Sequence, residues 1–101
     1  MLTSKQRAYL RGLANRLDPV FQLGKGGITD EYCVQIDHVL ESRELIKIHV
    51  LENSAYTAKE AAQIIAEATE SDVVSVIGSK VVLYRHSEMK EKDGKETIIL
   101  P

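Results

Sequence analysis

The stretch Val20-Phe21-Gln22-Leu23-Gly24-Lys25-Gly26-Gly27-Ile28-Thr29-Asp30-Glu31 sets the architecture of this chain. A short strand, Val20 to Leu23, runs into a glycine-rich turn. Thr29 then offers the hydroxyl of a helix N-cap, and Asp30 and Glu31 suit the positive end of that helix's dipole. Beyond it, Tyr32, Cys33, Ile36, Val39 and Leu40 recur at helical spacing and supply a buried face. After Glu44 the pattern changes to alternation over Leu45 to Leu51, with Ile46, Ile48 and Val50 on one side and Lys47 and His49 on the other. Strand, tight turn, helix and strand make a helical crossover, the connection that parallel strands require.

Upstream, Thr3 and Gln6 form a capping-box pattern, and Leu10, Leu13, Ala14 and Leu17 give one apolar stripe. Together they predict a helix over 3–17, ended by Asp18-Pro19 because proline disfavours helical geometry in the residue before it. Downstream, Thr57 and Glu60 open a further helix to about Glu70, whose face of Ala58, Ala61, Ala62, Ile65 and Ala68 permits close packing on a sheet. Val73–Ile77 and Lys80–Arg85 read as strands joined by the two-residue turn Gly78-Ser79. That turn places Val74 and Val76 beside Val81 and Leu83, and Ser75, Lys80, Val82 and Tyr84 on the opposite face. The element order α-β-α-β-α-β-β defines an α/β fold, a single compact domain with a four-stranded mixed sheet over residues 1–86. Residues 87–101 are expected to be a charged, solvated tail in which Thr97–Leu100 can add a short edge strand.

Composition narrows the function. A chain of 101 residues holds one core, and at this size folding buries roughly 65% of the surface the unfolded chain exposes. The single cysteine, Cys33, excludes an internal disulfide framework, and no cysteine cluster suits structural zinc. No apolar run reaches membrane-spanning length and no apolar leader follows Met1, so a cytoplasmic protein with no membrane partner is expected. Aromatic residues are 5% of the chain and Trp is absent, which leaves little from which to build a base-stacking platform. The net charge of −2 hides an asymmetry: Lys5, Arg7, Arg11, Arg16 and Lys25 stand against Asp18 alone in residues 1–27, a balance of +4. Residues 28–101 therefore carry −6. A basic end on an acidic body is a directed electrostatic footprint or a solvated basic helix.

The glycine loop is the sharpest local signal. Backbone N–H groups in such a turn, the dipole of the helix that follows and the charge on Lys25 together suit a phosphate oxygen. A P-loop would need glycine at Pro19 and Ser or Thr at Gly26; a dinucleotide fingerprint begun at Gly24 would need glycine at Thr29. Both fail, which leaves a bare G-x-x-G from Gly24 to Gly27. That pattern fits either a phosphate clamp or a plain turn between strand and helix. A KH module uses such a loop between two helices, whereas here it follows a strand, and no run matches the aromatic strand of an RRM. Recognition of backbone and shape, with little reading of base identity, is the mode these residues allow.

The chain resembles the stand-alone bacterial members, of the YhbY type, of the CRM family (chloroplast RNA splicing and ribosome maturation). The likeness lies in Gln6 with Leu10-Arg11-Gly12-Leu13-Ala14, Pro19-Val20, Gly24-Lys25-Gly26-Gly27-Ile28-Thr29, Glu44-Leu45-Ile46-Lys47, the Gly78 hairpin and Leu83-Tyr84-Arg85, spanning residues 3–85. It implies a fold similar to the C-terminal domain of translation initiation factor three. It also implies a non-enzymatic RNA-binding protein that associates with rRNA in precursors of the large ribosomal subunit, as a monomer without cofactor. By the same resemblance the RNA-binding residues are Gly24, Lys25, Gly26 and Gly27, with Lys5, Arg7, Arg11 and Arg16. The overall charge departs from bacterial relatives, which are often more basic.

Other features carry less. His38 lies five residues after Cys33, about 140° around a helix, so the two cannot chelate one ion. His49 shares a sheet face with Lys47, one that Lys80 and Tyr84 can join, a face either solvated, covered by a helix or open to RNA. Cys33 reads as a small core residue, Tyr84 as packing or a stacking surface, and Arg85 as an ion pair or a phosphate contact. No pair of carboxylates is singled out for acid–base work. The competing reading is a protein-interaction module with a purely structural glycine loop, motivated by the acidic body.

Overall fold

A computed structural model describes residues 2–101. Its elements are α1 (Ser4–Ala14), β1 (Phe21–Leu23), α2 (Asp30–Arg43), β2 (Leu45–Val50), α3 (Ala58–Thr69), β3 (Asp72–Ile77), β4 (Lys80–Tyr84) and a short α4 (Glu88–Lys92). The strands form one mixed sheet in the order β1-β2-β4-β3. β1 pairs parallel to β2, with Phe21 opposite Ile48 and Leu23 opposite Val50, as the crossover through α2 requires. β4 runs antiparallel to both β2 and β3. Gly78 has φ +58° in the β3–β4 turn, the backbone conformation that a glycine-first hairpin turn demands.

Three layers result. On one face of the sheet α2 and α3 enclose Leu23, Ile36, Leu40, Ile46, Ile48, Ile65, Val81 and Leu83, with Ala61 and Ala62 allowing α3 to approach closely. On the other face α1 lays Leu10 and Ala14 over Leu45, Val74, Val82 and Tyr84, and Ile98 and Leu100 from the C-terminal segment close the edge. Burying a large aliphatic side chain contributes about 1.5–3 kcal/mol, so both layers hold the domain together. The capping boxes form as the sequence predicts: Thr3 with Gln6, and Thr57 with Glu60, whose carboxyl the Thr57 backbone N–H holds below the usual range.

Four expectations are corrected. Helix α1 stops at Ala14, three residues before Leu17, and the chain leaves through a turn in which the Leu17 N–H donates to Ala14 O at 3.0 Å. Proline at 19 bars helix only at Asp18; it does not force the helix to reach that far. Val74 lies under α1 with Val82 and Tyr84, because the ladder slips between Val73 and Ser75, and the extra residue of that bulge turns Val74 to the opposite face. In α3 the buried small-residue face runs through Ala66 and Thr69, while Ala68 is exposed.

Last, residues 97–100 add no edge strand and Ser87 is fully buried. The segment after β4 is instead tied to Glu44, a buried residue at the C-cap of α2 with φ +66°. Its carboxylate accepts the N–H of Ser87 and the N–H of Ile98, both at 2.8 Å.

Candidate nucleic-acid interface

The glycine loop is built by its two flanks. β1 ends at Leu23, whose carbonyl accepts the Leu51 N–H at 2.8 Å, so the loop emerges beside the β2–α3 connection. Gly24 is pressed there: a Cβ at this position would lie 3.1 Å from Asn53 Oδ1 and 3.3 Å from Leu51 Cδ1. Gly27 has φ +76° with open space around it, so its requirement is conformational rather than steric. The Gly27 N–H closes the turn on Gly24 O at 3.2 Å, whereas among the described residues the amides of Lys25 and Gly26 have no acceptor. Lys25 is exposed at the tip.

Tyr32, in the first turn of α2, joins both ends of this loop. Its hydroxyl donates to Gln22 O at 3.1 Å, and its ring meets Phe21 edge-on at 5.9 Å. Burial, with a smaller contribution from Cys33, pushes the Tyr32 hydroxyl up to about 12, so it stays a donor at any ordinary pH. The start of α2 is less open than its sequence implied. Thr29 Oγ1 already takes the Tyr32 N–H, and Asp30 and Glu31 occupy the positive end of the dipole. The loop amides and Lys25 therefore carry any affinity for an anion here, with little help from the helix.

Structure divides the other predicted residues. Arg7 reaches over β3, where Nε donates to Val73 O at 3.4 Å, and Lys5 is exposed two residues earlier in the first turn of α1. β3 is the sheet edge opposite β1, and Val73 aligns through Leu83 with Ile46, near the far end of β2 from the loop. Lys5 and Arg7 thus sit at the corner diagonally across from Gly24–Gly27. Arg11, near the other end of α1, and Arg16, two residues beyond it, join cations that a count along the N-terminal segment omits. Arg11 shares a depression of about 170 Å³ with Lys47 and Lys80, and Arg16 shares a cleft of about 600 Å³ with Lys47 and Arg43. Lys47 lines both, making one basic surface beyond the C-terminal end of α1. Its sequence signal was the alternation that puts Lys47 and His49 on one face of β2, and the hairpin turn that sets Lys80 beside Val82 and Tyr84 extends the same face; Arg43 had none, since only the tertiary fold brings it there.

The remaining candidates are structural. Arg85 donates to Asp37 Oδ1 at 2.5 Å, Thr69 O at 2.7 Å, Asp37 O at 3.0 Å and Glu41 Oε1 at 3.1 Å, which commits its guanidinium to joining β4, α2 and α3. Tyr84 is buried under α1, and burial followed by the nearby Glu44 and Asp72 raises its hydroxyl pKa. Cys33 is half-buried, with its thiol raised by burial and then by Asp30, so it is a poor nucleophile. His38 is exposed on α2. Among the described residues no group of three or more His, Cys, Asp or Glu side chains is placed to share a metal ion, and no helix is long and apolar enough to cross a membrane.

A three-layer α/β domain with a glycine turn at one sheet edge and a stripe of cations across one face belongs to a class suited to polyanions. The family model described as the CRS1 / YhbY (CRM) domain matches residues 2–85, and the chain belongs to this family. It is 43% identical over 88 residues to "Probable RNA-binding protein YqeI" of Bacillus subtilis, covering 87% of this chain and 92% of that one. It is 38% identical over 87 residues to an "RNA-binding protein" of Haemophilus influenzae, covering 86% and 88% respectively. The solution structure of SAV1595 from Staphylococcus aureus, "a putative RNA binding protein", superposes with a TM-score of 0.78 at 51% identity over the whole of both chains.

Proposed function

We propose that this protein is a non-enzymatic RNA-binding factor that engages rRNA in precursors of the large ribosomal subunit, as a cytoplasmic monomer. The observation that carries the reading is the set of cations on the α1 side of the sheet. Arg11, Arg16, Arg43, Lys47 and Lys80 line adjoining depressions, and among the described residues none has a carboxylate within ion-pair distance. Gathering five unpaired cations around a lining whose one carboxylate is Asp18 favours a polyanion that balances the excess. The exposed Lys25 and the two unspent loop amides add a second point of attachment at the other end of β1. Family membership and the names of the relatives support RNA as the polyanion, and the resemblance to the ribosome-maturation members supports rRNA.

The test is a titration of the full chain against a large-subunit rRNA fragment over a salt series. Roughly five phosphate contacts give a log–log slope near −3.5 for single-stranded and −4.5 for duplex contacts. Lys25→Ala is expected to weaken binding across sequences and make the slope shallower by about 1. An unchanged slope in the folded variant removes the loop from the interface; no binding even at low salt rejects the RNA reading and favours a protein-interaction module. Gly27→Ala is expected to weaken binding through the strained left-handed backbone it imposes, since its Cβ meets no neighbour.

A further inference from the structure

The cleft shared by Arg16, Arg43 and Lys47 is more than a charged surface. Much of its lining is apolar: Leu13 from the last turn of α1, Leu17 from the turn that follows it, Val20 at the entrance to β1, and Ile98 from the C-terminal segment. Leu13 is 38% and Val20 37% exposed, so apolar surface faces water in the same cleft as three cations. At about 600 Å³ the cleft is in the range of small-molecule sites. A duplex backbone satisfies the cations but leaves the apolar residues wet, because its bases are stacked inside and its phosphates project outward. A free phosphate likewise has nothing to give the apolar residues. An unpaired nucleotide satisfies both, with its apolar faces against the leucines and valine and its phosphate on the cations. Asp18 also lines the cleft, and among the described residues it has no cation within ion-pair distance. Its carboxylate is an acceptor for a base amino or imino N–H.

We infer that this cleft binds one unpaired nucleobase of the RNA, with the adjoining phosphate on Arg16, Arg43 and Lys47. The inference rests on the RNA reading proposed above and specifies a single-stranded site within it. Val20 and Gly24 flank the three residues of β1, about 13 Å apart at roughly 3.3 Å per residue. A strand with its base in the cleft and its backbone following β1 therefore reaches the glycine loop.

Full-length protein is mixed with a single-stranded RNA decamer carrying 4-thiouridine at every position, irradiated, and the crosslinked residues mapped by mass spectrometry. Crosslinks within residues 13–20 or 45–47 are expected. In parallel, Val20→Trp, which fills the cleft without touching the cations, is expected to weaken the decamer about tenfold while changing affinity for a duplex of equal length by less than twofold. Crosslinks confined to residues 24–27 and the start of α2 overturn the cleft while leaving the RNA reading intact, as does a folded Val20→Trp that binds the decamer normally. Failure of the wild-type protein to bind either RNA overturns the RNA reading and the cleft together. Should Val20→Trp not fold, the crosslink map on the wild-type chain decides alone.

Discussion

Around Glu44, Arg85, His86 and Lys90 each face a carboxylate at 3.9 Å or closer, whereas across the sheet Arg11, Arg16, Arg43, Lys47 and Lys80 line a groove where, among the described residues, none is ion-paired, with Asp18 as the carboxylate in its lining. The first region uses charge as a fastener. Glu44 is fully buried, and its two oxygens hold backbone N–H groups 43 and 54 residues further along the chain. Desolvation makes those bonds strong and also makes them costly to leave half-made. The second region keeps its charges hydrated and uncommitted, so they add little to folding and remain available to a ligand. Stability and binding are thus separated on one small sheet, and substitutions in the two regions should show it.

The largest effect is expected from Glu44→Ala. It leaves the Ser87 and Ile98 amides and the nearby cations without their acceptor, at a loss of about 3–5 kcal/mol in urea unfolding, the range for breaking a buried charged cluster. Removing the carboxylate does not relieve the positive φ at this position, which alanine tolerates no better. Retention of wild-type stability would mean that the C-terminal segment is not fastened there.

A smaller effect is expected from pH. His86 has a raised pKa, chiefly through its hydrogen bond to Glu91 at 2.7 Å, with Glu44, Glu91 and Glu88 adding and partial burial opposing. A group whose folded pKa lies above its unfolded value contributes stability that is fully present below the unfolded value and is lost as pH rises through the folded one. The chain should therefore lose stability as pH rises through the shifted value, by under about 1 kcal/mol because the side chain is 43% exposed. His86→Ala should abolish that step in unfolding curves taken on either side of it.

The smallest effect is expected from Lys47→Gln, whose stability should stay within about 0.5 kcal/mol of wild type while RNA affinity falls and the salt slope becomes shallower by about 1. If instead it unfolds the protein as Glu44→Ala does, the contrast between the two regions is broken.

Local signals account for what the sequence disclosed. Two capping boxes, one glycine-first turn and the alternation of Leu45 to Val50 each lie within a few residues, and each forms as its pattern dictates. What escaped is non-local. Val-Val-Ser-Val at 73–76 is apolar enough to suit either face, so nothing in it marks the slip that turns Val74 under α1. Ser87 lies in a run of charge that reads as solvated, and the carboxylate that buries it is at position 44. For the candidate interface the glycine loop was visible because it is contiguous. The groove was only half visible, because Arg43, Lys47 and Lys80 come from α2, β2 and β4 and meet Arg11 and Arg16 only once the sheet is assembled.

The fastening of the last residues has a topological consequence. Once Glu44 holds Ile98, the chain continues to Pro101, whose carbonyl accepts from Gln6 Nε2 at 3.3 Å, beside the start of α1. The two ends of the domain meet at one corner, diagonally away from Gly24–Gly27. Such a unit can be spliced into a larger polypeptide as a cassette, or closed into a ring by a short linker, without drawing its glycine turn or its cationic groove toward the seam.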